Sequence, residues 1–396
     1  MFRRRDEIVE RFLRYERGVL ESIERVYGDK LDLVLESLLK PTSRLYLRVN
    51  TLKTSVEEVL DLIREESFQA YRDELIEEAI YFKVEGPNSI KDHGLRVIVD
   101  KRASESILMG ANVYSPGVVY CDPEIKPGSL VTIYSENMIP IAEGEAVTDC
   151  KSIKRIGRGL FLKSVKSLYK APPIRDLRVW IEGFVYPQSL PAMLTSRLLD
   201  PRAGDSIIDM CAAPGGKTSH IYELSRGDAT IYAFDHSKRR IEEMISNLRR
   251  LGHLNSNKII VINSDSRYIS RDYKYLVADK ILLDPPCTST GVRPKIYDLK
   301  TERELRDLVE YQRQFLSEAY KVLRRGGILV YSTCSITYDE NEGLINRFLR
   351  ERLFEQLDPP EWVFRIARAG VDEIGIRFDP YNDAMPGYFI AILRKI

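Results

Sequence analysis

Two cysteines in this 396-residue chain stand where a reactive thiol is useful. Cys287 follows Asp284-Pro285-Pro286 just past the apolar run KILL, and Cys334 follows Tyr331-Ser332-Thr333 at the end of GGILVYST. A thiolate held just beyond a buried strand is confined enough to be tuned and open enough to attack. One such cysteine is usually a buried structural residue, but two on neighbouring loops beside a ligand turn mark a site. The turn is the run from Asp209 through Cys211, Ala212, Ala213, Pro214, Gly215 and Gly216 to Lys217, a glycine turn entering a helix, where backbone N–H groups can face a ligand. A phosphate-binding loop is excluded, because the position that pattern reserves for glycine is Cys211, and Ala212 and Pro214 leave too few free N–H groups. Asp235 ends the next apolar run, TIYAFD, at the place and distance where an acidic residue meets a nucleoside ribose. Glycine turn and Asp235 together call for an adenosyl ligand.

The elements that must position these residues are legible as patterning. From about residue 200, buried apolar strands (SIID, TIYAFD, KIIVIN, KILL, GGILVYST, GYFIAILRK) alternate with amphipathic helical stretches, which predicts a doubly wound, largely parallel sheet. Ligands in such sheets sit at the carboxyl ends of the strands, which is where the turn and both cysteines fall. Between about 94 and 170 the texture is short β-rich runs divided by Gly, Pro, Asn and Asp, as in a small barrel or sandwich. Upstream, Ile8, Val9, Phe12, Leu13, Leu20 and Ile23 lie at helical spacing over 6–25, a second helical periodicity runs to Pro41, and RLYLRVNTLK reads as a strand followed by a helix capped at Thr54 or Ser55.

Composition bounds the rest. Apolar residues at 44% and charged residues at 30% describe a globular chain with a dense ionic surface, and 60 basic against 59 acidic residues announce no polyanionic partner overall. The charge is uneven, however. Residues 151 to 178 hold nine Lys or Arg and one acidic residue, while 54 to 80 hold nine acidic and two basic. The basic stretch can grip a polyanion or simply face solvent. No run is long and apolar enough for a membrane span, so no membrane partner is expected. Five scattered cysteines without a Cys-x-x-Cys, and four histidines, predict neither a disulfide framework nor a metal site.

CAAPGGKT, DPPC with STGVRP, STCSI and the closing GYFIA, with LRVNTLK upstream, resemble the Nol1/Nop2/Sun RNA cytosine-5 methyltransferases. GANVYSPGVV, IKPGSLVTIYS and AEGEAVTD resemble a PUA RNA-binding domain, as in the tRNA-methylating branch that acts on cytosine 72. The resemblance implies an α/β chain: an N-terminal α/β lobe (1–93), an inserted β-barrel PUA domain (94–170) and a Rossmann-like methyltransferase domain (171–396). It implies S-adenosyl-L-methionine as cofactor, held by Cys211 to Lys217, Asp235, Arg240, Asp265 and Asp284. It also implies a catalytic set of Cys334 as nucleophile, Cys287 for proton removal and release, and Asp284 with Lys217 on the flipped base. In such chemistry a thiolate adds to C6 so that C5 becomes nucleophilic. Lys217 is placed to lower a nearby thiol's pKa, and a protonated Asp284 to stabilise the ring. The expected partner is the acceptor stem and 3′ end of tRNA, gripped by Tyr114, Lys151, Lys154, Arg155 and Arg158, with the chain a cytoplasmic monomer. Ribosomal RNA methylation and a catalytically idle RNA-binding protein are the alternatives. Pro285, Thr288 and Ser289 depart from the usual D-A-P-C-S-G pattern.

Overall fold

The computed structural model describes residues 5–396 apart from Lys154 and Ile156. Its largest sheet runs, in spatial order, Ile259–Asn263, Thr230–Asp235, Ser206–Asp209, Ala278–Leu283, Leu323–Thr333, Tyr388–Lys395, Ile376–Phe378 and Arg368–Ala369, with Phe354–Gln356 also paired to Tyr388–Lys395. The first five strands are parallel and the sixth is antiparallel to its neighbour. Strand order reverses between Ser206–Asp209 and Ala278–Leu283, so the crevice of a doubly wound sheet opens at their carboxyl ends. The strands read as continuous apolar runs because both faces are covered. Ile207, Ile231, Leu282 and Val330 enter one core, while Ile208, Phe234, Ile281 and Tyr331 enter the other.

Residues 96–167 form a six-stranded sheet wrapped around Val97, Val99, Val131, Ile133, Ile141, Phe161 and Leu162. One correction concerns its cysteines. Cys121, at the end of one strand, and Cys150, in the turn after another, form a disulfide with their Cα atoms 6.0 Å apart. Twenty-nine residues of sheet topology bring them together, and cysteine spacing carries no record of that.

The N-terminal lobe is a four-stranded sheet ordered Val185–Pro187, Arg44–Val49, Ala79–Lys83 and Tyr71–Arg72, with the helix Val56–Glu65 capped by Ser55 accepting from Glu58 N. Its first strand comes from far downstream: the segment Ile174–Pro187, read from the sequence as the start of the catalytic domain, packs on this lobe through Leu177, Val179 and Val185. The helix expected over 6–25 is broken. Leu13–Tyr15 is a short strand parallel to Asp298–Lys300, between the helices Arg5–Arg11 and Arg17–Tyr27, because the Tyr15 hydroxyl donates to buried Asp298 at 2.9 Å. No helix among the described residues is long and apolar enough to cross a membrane.

Arg48 locks the N-terminal lobe to the glycine turn. It is fully buried, with Nε 2.9 Å from Glu223, while its terminal nitrogens donate to Ser219 Oγ at 2.8 Å and to the Gly216 carbonyl at 2.6 Å. Gly216 itself has no room for a side chain, since a Cβ there would lie 2.7 Å from the Tyr186 ring. Removing one partner of a buried pair strands the other charge. Arg48→Met is therefore expected to cost about 3–5 kcal/mol in denaturant unfolding of the full chain, with Arg48→Lys recovering only part because an ammonium cannot reproduce the guanidinium fork.

Candidate active site

The glycine turn begins where Ser206–Asp209 ends. Gly215 has φ +98°, a left-handed conformation open to glycine, and caps the helix Gly216–Leu224. The Arg240 guanidinium donates to the Ala213 carbonyl and lies 3.5 Å from Asp235, and Asn247 Nδ2 donates to the Pro214 carbonyl at 3.0 Å. Arg240 is thus a strut of the turn itself. Beside it runs a cleft lined by Cys211, Asp235, Arg240, Asp265, Pro286 and Phe315. Asp235 is buried and accepts from Ser237 N at 2.9 Å. Burial works to raise the Asp265 pKa, but Arg267, bonded to both carboxylate oxygens, holds it below the usual range. Burial pushes the Cys211 thiol well up, so it lines the cleft as a neutral group. Two carboxylates, and a cation already engaged by a carbonyl and a carboxylate, suit a nucleoside with a short cationic tail and do not suit a polyphosphate.

Across the crevice, Lys217 Nζ donates to Asp284 Oδ2 at 2.6 Å, and the Ser332 and Tyr388 hydroxyls donate to Oδ1 at 3.0 and 3.5 Å. Burial disfavours the lysine's charge, yet Asp284 and Tyr388 outweigh it and hold the ammonium above its ordinary pKa. The three partners surround both oxygens of the Asp284 carboxyl. Asp209 ends the neighbouring strand. Burial pushes it up to about 7, against the Thr218 hydroxyl bond at 2.7 Å and the charge of Lys217.

Cys287 and Cys334 come face to face with Sγ–Sγ 3.5 Å, and the Ser289 hydroxyl lies 3.4 Å from Cys334 and 3.8 Å from Cys287. The pair is asymmetric. Hydrogen bonding from Cys287, then from Ser289, lowers the Cys334 pKa against burial, with Lys217 a smaller contributor, whereas Cys287 is pushed well up by the same contact and by burial. The Asp284 carboxylate works against that lowering, so Cys334 is tuned by every polar group that faces it. Their loops are bound through Glu340, fully buried, which accepts from Thr288 N and Gln312 Nε2 at 2.8 and 2.9 Å and from the Thr288, Ser335 and Thr337 hydroxyls.

The sheet rim thus gathers Lys217, Asp284, Cys287 and Cys334, with Cys211, Asp235, Arg240 and Asp265 on the adjoining cleft. Tyr114, Lys151, Arg155 and Arg158 are exposed on the separate six-stranded domain, and the Tyr114 strand pairs with Leu160 next to the basic turn; Lys154 lies outside the described residues. The sequence analysis gave no role to Ser332, Tyr388 or Glu340, and named Ser289 only as a departure from pattern and Asp209 only as the start of the turn. Ser332 and Tyr388 stood inside the STC and GYF runs, where a polar residue beside a chemical one was the available signal, while Glu340 gave none.

The folded-state pKa of Asp209 lies above its unfolded value near 3.8. Its contribution to stability is present below that value and is lost as pH rises through about 7. Asp209→Asn keeps the shape without the charge, so its melting temperature relative to wild type should climb between pH 5 and pH 8. A difference independent of pH in thermal melts would contradict this.

Comparison with known proteins fits this geometry. The model of the 16S rRNA methyltransferase RsmB/F family matches residues 196–394, a PUA domain model matches 95–168, and the ferredoxin-like domain of RsmF/B-like methyltransferases matches 19–89. The chain is 36% identical over 386 residues to a tRNA (cytosine(72)-C(5))-methyltransferase of Pyrococcus horikoshii, covering 96% of this chain and 97% of the relative. It is 28% identical to the human tRNA (cytosine(72)-C(5))-methyltransferase NSUN6, over 92% of this chain and 86% of the relative. The crystal structure of NSun6 from P. horikoshii with SFG superposes with a TM-score of 0.90 over 96% of this chain and 98% of that one. With a buried carboxylate in the cleft beside the glycine turn, paired thiols on the rim and a matched PUA domain, the chain belongs to the RsmB/F and NSUN family of S-adenosylmethionine-dependent RNA cytosine-5 methyltransferases.

Proposed function

We propose that this chain methylates carbon 5 of a tRNA cytosine, the acceptor-stem cytosine 72. The observation that carries the reading is the pair of thiols 3.5 Å apart on the sheet rim, beside the Lys217–Asp284 pair. The names of the relatives that cover nearly the whole chain support the tRNA position.

Cys334 adds to C6 of the cytosine, which breaks the C5–C6 double bond and makes C5 nucleophilic. Asp284, an acceptor, takes the exocyclic amino group of the base, and the Lys217 ammonium offers a donor to its carbonyl edge. Bound S-adenosylmethionine supplies the methyl group that C5 takes. Its ribose hydroxyls fall to Asp235, its adenine to Asp265, and its methionine end to the turn from Cys211 to Lys217 braced by Arg240. The C5 proton then leaves to a base and the Cys334–C6 bond breaks, restoring the aromatic ring. Cys287, against Cys334, serves proton removal and this release. The lobe 1–93, the RNA-binding domain 94–170 and the catalytic domain 171–396 divide the work, with Ile174–Pro187 tying the last to the first. Tyr114 stacks on a base of the single-stranded 3′ end, and Lys151, Lys154, Arg155 and Arg158 take phosphates. We place the enzyme in the cytoplasm as a monomer.

The two thiols leave different traces, because loss of the attacker prevents the covalent step and loss of the release group lets the adduct persist. Cys334→Ala is expected to abolish methylation and give no adduct. Cys287→Ala is expected to accumulate a protein–tRNA species on denaturing gels that disappears on RNase digestion. The reverse pattern would exchange the roles, and turnover by both variants without any adduct would reject the covalent route.

A further inference from the structure

Ser289 holds a conformation that side chains rarely adopt, with φ +54°. The pattern that this loop resembles has glycine there, the residue for which such a backbone is free of strain. A serine in that place needs a compensating interaction, and the structure shows where its hydroxyl goes. It accepts from the Cys334 thiol at 3.4 Å, lies 3.8 Å from Cys287 Sγ, and donates to the Cys287 carbonyl at 3.5 Å.

The backbone beneath that hydroxyl is pinned. The Ser289 carbonyl accepts from Lys295 Nζ at 3.0 Å and from Val292 N at 3.2 Å. Lys295 is buried and pairs with Asp298 at 2.9 Å. Asp298 also accepts from Tyr15 of the N-terminal segment and from Lys101 of the six-stranded domain, at 2.9 and 2.8 Å. The loop carrying Ser289 is therefore anchored where three parts of the chain meet, and its hydroxyl is held at the sulfur.

We infer that Ser289 is a further catalytic residue of this site, whose hydroxyl donates to the Cys334 sulfur and stabilises it as the thiolate. The inference rests on the reading of Cys334 as the attacking thiol. A hydroxyl carries one donor and two acceptor positions, so it accepts the S–H while Cys334 is neutral and turns to donate once the sulfur is charged. Removing that donor favours the neutral thiol, so the pKa of Cys334 rises.

The test is the pH–rate profile for alkylation of Cys334 by iodoacetamide, followed by mass spectrometry of its peptide, in the full-length chain without RNA. Ser289→Ala removes the hydroxyl, and Ser289→Gly removes it while relieving the backbone, so folding is not at risk. Both are expected to move the midpoint up by about one pH unit and slow alkylation at pH 7 roughly tenfold. In methylation assays at pH 7 they should lower kcat in similar proportion with KM for tRNA unchanged. Profiles of both variants that overlay the wild-type curve would overturn the inference. The reading of Cys334 as nucleophile fails separately, if Cys334→Ala still methylates, and the alkylation profile does not depend on that outcome.

Discussion

The arrangement depends on keeping two loops from different strands within bonding distance of each other, and a single buried carboxylate does much of this. Glu340 accepts from the backbone and hydroxyl of Thr288 on one cysteine loop, from the Ser335 and Thr337 hydroxyls on the other, and from Gln312 of the long helix behind them. Unpaired polar groups in such a place would be costly, and a fully satisfied network specifies one arrangement. With both loops bonded to one carboxylate, the sulfurs of Cys287 and Cys334 lie 3.5 Å apart. At that separation one thiol can donate to the other.

Around that constraint the sheet distributes labour by position. The crevice where strand order reverses puts the glycine turn and Asp235 on one side and Asp284 on the other, so the cleft beside the turn and the Lys217–Asp284 pair share a rim. Lys217 spans them: it begins the helix after the turn and ends at Asp284. The N-terminal lobe contributes through Arg48, whose bonds to Glu223 and the Gly216 carbonyl fix the start of that helix from behind.

Much of this was legible in the sequence because it is local. Continuous apolar runs announced the strands, the turn from Cys211 to Lys217 announced the helix entry, and Cys287 and Cys334 followed their strands directly. What was hidden is long-range. Leu13–Tyr15 reads as helix until Asp298, 283 residues beyond Tyr15, supplies a partner strand and a carboxylate. Cys121 and Cys150 meet only because a sheet folds them together. Glu340 and Arg48 look like ordinary charged residues, since burial is a property of the fold and leaves no trace in spacing. Ser289 was visible as a departure from pattern, but its meaning came from a dihedral angle and a distance to sulfur.

The proposed nucleophile is Cys334, attacking C6 of the acceptor-stem cytosine. A tRNA carrying 5-fluorocytidine at position 72 tests it in the unaltered protein, because fluorine at C5 blocks the proton loss that release requires and leaves the adduct in place. Incubation with S-adenosylmethionine, digestion of both polymers and mass spectrometry of the joined fragment is the measurement. The predicted result is the Cys334 peptide bonded to nucleotide 72. A fragment joined through Cys287, or no joined fragment from a tRNA whose unfluorinated form is methylated at that position, would contradict it.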